Sequence, residues 1–144
     1  MTQDSYQVRF DWGLRGAEAV GADADAIVWV DQLGESAAPA GAVRGTLEQA
    51  GELGAWALRE QEALGGRFRI AVVAAGAIRD DGSLRFAVED LLAAGAVIDA
   101  IAEVGIDHQS PEAAAAAAAY TGLRNATRHL ISASESARES RGDV

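Results

Sequence analysis

Apolar residues fall along this chain in two kinds of stretch: short dense runs, and longer segments where they recur every third or fourth position. "YQVRFDW" (Tyr6 to Trp12) alternates apolar and polar positions and predicts a strand. "LRGAEAVG" predicts a short helix that stops at Gly21. "AIVWV" (Ala26 to Val30) is continuously apolar and β-branched, the pattern of a strand covered on both faces. "DQLGESAAPAGAVRG" is rich in glycine and small residues, and Pro39 argues against a long helix there. From Thr46 to Leu64 the period becomes helical, with Leu47, Ala50, Leu53 or Gly54, Ala57 and Leu58 on one face and Gly65-Gly66 as the stop. "FRIAVVAAG" (Phe68 to Gly76) is a second fully buried strand.

Ser83 is placed to N-cap a helix running to about Val104, with Leu84, Val88, Leu91, Gly95, Ile98 and Ala102 along one stripe. Ser110-Pro111-Glu112 supplies a cap, a first-turn proline and an acid matched to the helix dipole. The last helix is predicted from Pro111 to about Ala137, and the tail 138–144 is predicted to fray. Strands alternating with helices imply parallel pairing through right-handed crossovers. The expected fold is therefore a single α/β domain over 1–144: a small, parallel or mostly parallel sheet with helices on both faces, in three α/β/α layers.

Composition narrows the function classes. The 144 residues suffice for one core, and 49% of them are apolar. Twenty-two acids against twelve basic residues, all arginine, give a net charge of −10, which argues against nucleic acid as a partner. No run approaches the length of a membrane span, so no membrane association is expected. The opening "MTQDSYQVRF" lacks the shape of a signal peptide, and a cytoplasmic location is expected. Without cysteine there is no disulfide and no thiolate chemistry.

Candidate chemistry gathers where two strands end. In open α/β sheets, ligands collect beyond the carboxyl ends of the strands, and helix starts there suit anions. Asp31 follows "AIVWV" directly, where an acid can hold a metal or simply cap the next turn. "GAIRDDGS" follows the second buried strand; its Asp80, Asp81, Gly82 and Ser83 are equally what an ordinary turn would use. Glu89 and Asp90 sit in an otherwise apolar helix, where an acid is costly unless paired or facing water. His108 and His129 lie apart without carboxylate spacing and read as surface or capping residues, and the tryptophans read as packing.

"VVAAG" followed by "DGSLRFAVEDLLAAGAVI" carries Gly76, Asp81-Gly82-Ser83-Leu84, Glu89-Asp90 and Ala94-Gly95-Ala96. That block resembles the C-terminal half of the 2-phosphosulfolactate phosphatase (ComB-type) family. "YQVRFDWGLRGAEAVGADADAIVWVDQL" resembles the family's first strand–helix–strand, and "SPEAAAAAAAY" its closing helix. The family's middle section is absent: there is no G-E-R, D-x-G-N-S-P or T-N-G-T element, so the chain resembles a shortened member. The resemblance implies a Mg²⁺-dependent hydrolase of a small phosphorylated, sulfonated acid. It implies Asp31, Glu89 and Asp90 as catalytic carboxylates and Asp31 with Asp81 as metal ligands. It also implies Gly76, Arg79, Gly82, Ser83 and Arg85 as the phosphate cradle. Two alternatives stand beside an active phosphatase: a catalytically reduced homologue binding a small anion, and a homodimeric interaction protein associating through helices 84–104 and 111–137.

Overall fold

A computed structural model of the chain describes residues 3–34 and 36–143. Four parallel strands form the central sheet: β1 (Val8–Trp12), β2 (Ala26–Val30), β3 (Val43–Gly45) and β4 (Ile70–Ala74), in the order β1-β4-β2-β3. The expected α/β class holds. The continuous apolar runs became β2 and β4, the two inner strands, which pair with Val28 opposite Val72 and Val30 opposite Ala74. The short β3, read from the sequence as part of a loop, adds to the outer side of β2. The far side of β1 is closed by chain rather than left open. Gln7 and Val8 donate to the His108 carbonyl, and the buried Gln3 side chain bonds both backbone groups of Phe10 and the Ser110 hydroxyl.

Helix α1 (Gly13–Gly21) covers one face of the sheet, burying Ala17 and Val20 against Trp29, Ala71, Val73 and Ala75. The other face carries α2 (Ala50–Leu64), α3 (Val88–Glu103) and α4 (Pro111–Gly122). α2 ends as its sequence predicts, with Gly65 in the left-handed conformation donating to the Gln61 carbonyl. α3 is packed between α2 and α4, and glycines permit the contact. A Cβ on Gly54 would lie 2.7 Å from the Ala100 carbonyl oxygen, and one on Gly95 would run into that of Ala116. α3 and α4 pack on each other within the chain, and α4 buries Ala113 and Ala116 there.

Two helix boundaries differ from expectation. Ser83 does not cap a helix. Ala77–Ile78 (β5) pairs antiparallel with Leu84–Arg85 (β6), and α3 starts only at Val88. Asp81-Gly82 turns this hairpin, with Gly82 at φ +85° and the Asp81 carboxylate accepting from the Ser83 amide at 2.9 Å and its hydroxyl at 2.6 Å. Aspartate–glycine is a hairpin signal, and here it prevails over the helix-start reading of Ser83. The predicted single helix 111–137 is three: α4, then α5 (Thr127–Ser132) and α6 (Glu135–Arg141). The Ser110 cap holds as expected, and a second cap, Ser134 accepting from the Ala137 amide, starts α6. Residues 138–141, expected to fray, are helical. Among the described residues no helix is long and apolar enough to cross a membrane.

Candidate functional site

β1 and β4 are neighbours, yet their connections leave in opposite directions. β1 turns into α1 on one face, while β4 passes through the β5–β6 hairpin to α3 on the other. Such a divergence opens a crevice at the carboxyl edge of a parallel sheet. A hollow of about 790 Å³ lies there. Its walls are mainly apolar, from Trp12, Leu14, Trp29, Ile78 and Leu84, with Asp11, Arg15, Ser36 and Ser83 among them. Gly13 and Gly76 both have positive φ, and a Cβ on either would meet Leu84 Cδ1 at 2.9 Å. These two glycines let the hairpin lay Leu84 across the start of α1 and the end of β4.

Polar groups reach the crevice by strand alternation and by the first turn of α1. In β1, Val8 and Phe10 point to the three-helix face, and Asp11 lies under α1, where a Cβ on Gly16 would meet its Cγ at 2.9 Å. Asp11 Oδ1 accepts from the Trp12 amide at 2.7 Å. Trp12 precedes α1 and offers no side-chain cap to the first-turn amides, and Gly13, Leu14 and Arg15 of that turn line the hollow. Arg15 is exposed, and among the described residues it has no hydrogen-bond or ion-pair partner.

Of the carboxylates singled out in the sequence, Asp31 and Asp90 are engaged by backbone amides at this sheet edge. Asp90, buried in the first turn of α3, accepts from the Gln32 amide at 2.8 Å with Oδ1 and from the Gly76 amide at 2.9 Å with Oδ2. It thereby ties the loop after β2 to the loop after β4. Burial pushes its carboxyl up to about 7, aided by the charges of Asp31 and Glu89 and opposed by the two amide bonds. Asp31 organises its own loop: Oδ1 accepts from Gly34 N at 3.0 Å, and Oδ2 from the Ser36 amide at 2.9 Å and the Ser36 hydroxyl. Ser36 also accepts from Trp29 Nε1 at 3.1 Å, so Asp31 holds the crevice wall formed by Ser36 and Ala37. Glu89 is buried, and its Oε1 has no partner among the described residues.

The expected phosphate cradle is dispersed. Gly76, Gly82 and Ser83 line the crevice. Arg79 folds onto its own hairpin, donating to the Leu84 carbonyl at 2.6 Å. Arg85 turns away to the C-terminal helix, where Glu135, Glu139 and the Ser136 hydroxyl receive it, and Glu135 above all holds its pKa above the ordinary value. Asp81 is exposed in the hairpin turn, and the Ser83 hydroxyl and amide hold its carboxyl below the usual range.

No family model, curated protein or solved structure matches this chain.

A magnesium ion asks for carboxylate oxygens that converge and remain available. Asp31 has both oxygens bonded within its loop, and Asp81 is bonded to Ser83 in the hairpin. Among the described residues no three of His, Asp or Glu group in a way that could hold a metal. The donor set implied by the resemblance does not fit the ion. The crevice residues missed in the sequence were Asp11, Trp12, Arg15 and Trp29. The available signal was the alternation of "VRFDW", which sets Arg9 and Asp11 on one face and ends at a glycine that starts a helix.

Proposed function

We propose that this chain is a small-molecule-binding α/β domain whose ligand, an anion with an apolar body, lies in the crevice between the ends of β1 and β4. The observation that supports this reading is the coincidence, in one hollow, of apolar walls, the Arg15 cation and the uncapped first turn of α1. Pockets for small ligands are mostly apolar, with a few polar groups that set orientation. A helix start and an unpaired guanidinium both favour negative charge.

The test is calorimetric titration with phenyl phosphate, 3-phenylpropionate and L-phenylalanine, three molecules that share an aromatic body and an anionic group. At least one binds, and Arg15→Ala weakens that binding by about ten-fold or more, as expected for a lost charge-assisted hydrogen bond, with an unchanged melting temperature. Binding of none of the three removes the reading. Mg²⁺-dependent phosphate release from 2-phosphosulfolactate, abolished by Asp31→Asn, would instead support the hydrolase that the sequence resemblance implies. The engagement of both Asp31 oxygens argues against that outcome.

A further inference from the structure

We infer that the ligand of this crevice is a zwitterion: a molecule of the amino-acid type with an apolar side chain, its carboxylate met by Arg15 and its ammonium by Asp11. The inference rests on the reading of the crevice as an anion site. It adds the second charge, and Asp11 is what demands it.

Asp11 and Arg15 line the same hollow, yet they form no ion pair with each other or with any other described residue. Asp11 Oδ1 is occupied by the Trp12 amide, while Oδ2 has no hydrogen-bond partner among the described residues. A carboxylate with a free oxygen beside an incoming simple anion repels it. The same carboxylate beside an ammonium group forms a charge-assisted hydrogen bond. Two opposite charges that share a cavity without neutralising each other suit a ligand that carries the complementary pair.

The remainder of the ligand is specified by the rim. Leu14, Ile78 and Leu84 line the hollow and are 55%, 69% and 38% exposed. Phe86, 58% exposed, packs on the crevice residue Trp12 with ring centroids 5.4 Å apart. Large apolar side chains left to solvent around one opening call for an apolar group to cover them. A volume of about 790 Å³ admits an aromatic or branched side chain.

Calorimetric titration of the intact protein with L-phenylalanine, 3-phenylpropionate and 2-phenylethylamine tests this, because the last two each lack one of the charges. L-phenylalanine is expected to bind about ten-fold or more tightly than either, the range of a lost bond to a charged group. Asp11→Asn retains the oxygen that accepts the Trp12 amide, and it is expected to abolish the preference for phenylalanine over 3-phenylpropionate. Equal or tighter binding of 3-phenylpropionate by the wild-type chain overturns the zwitterion and leaves the anion site standing. Failure of all three, and of phenyl phosphate, removes both. An Asp11→Asn protein that keeps the preference overturns the pairing with Asp11, and should that variant not fold, the wild-type comparison still decides.

Discussion

The two faces of the sheet are built from the same alternating strands and have become different surfaces. Among the described residues, twenty buried apolar residues form the core on the side of α2, α3 and α4, against six on the side of α1. On the crowded side, backbone meets backbone: Gly54 against Ala100 and Gly95 against Ala116 leave no room for a methyl group. On the α1 side the strands present Arg9 and Asp11 among their apolar residues. Arg9, fully buried, is held by the carbonyls of Tyr6, Val20 and Asp4 and by the Asp23 carboxylate. One nine-residue helix cannot cover that face, and the uncovered end is the crevice. Close packing stabilises the crowded face, and incomplete cover leaves the other open to a ligand.

Substitutions at matched positions would break or sharpen this contrast. Gly95→Ala strikes the Ala116 carbonyl and comes to 2.8 Å from Tyr120 Cβ, with no flexible side chain end to yield. It is expected to cost about 3 kcal/mol in urea unfolding, at the upper end for overpacking. Asp90→Asn comes next. An amide cannot accept from both Gln32 and Gly76, and a buried donor left unpaired costs about 1–3 kcal/mol. The same variant changes the pH profile. Because the Asp90 carboxyl is raised from 3.8 to about 7, the native chain keeps a proton that the unfolded chain has released between those values. The contribution of Asp90 to stability is therefore full below about pH 4, falls as pH rises toward 7 and levels above it, by about 1.4 kcal/mol per unit of raised pKa at most. Urea midpoints across that window should slope for the wild type and flatten for Asp90→Asn. Gly16→Ala has the smallest effect. The three atoms nearest its methyl all belong to the Asp11 side chain, Cβ and Cγ at 2.9 Å and Oδ1 at 3.0 Å, and the gain in helix propensity of up to about 1 kcal/mol partly offsets the contact. Its net cost should stay below about 1 kcal/mol, with the change appearing in ligand titrations. A Gly16→Ala as damaging as Gly95→Ala would show that the α1 face is packed as rigidly as the other.

How much of this was legible in the sequence varies by element. Ala26–Val30 is observed as the pattern predicts because a strand buried on both faces must be apolar at every position. β3 escaped because its three residues, Val43-Arg44-Gly45, pair on one side only and carry no period. The alanine run predicts helix well but cannot say where it stops; Gly122 and the Ser134 cap divide what high propensity seemed to join. At the site, Asp31, Glu89 and Asp90 lie close enough for their charges to act on one another. What those carboxylates bond to was not legible, because the donors are backbone amides at Gln32, Gly34, Ser36 and Gly76 whose directions exist only once the loops are folded.

The bridge made by Asp90 has a consequence for exchange of backbone hydrogens with solvent. Gln32 and Gly76 lie 44 positions apart in chain numbering, on loops after different strands, yet their amides are protected by the two oxygens of a single carboxylate. Any fluctuation that withdraws that side chain unmasks both at once. Their deuterium uptake should therefore follow one common clock, and an agent that seats the loops more firmly should slow the two together.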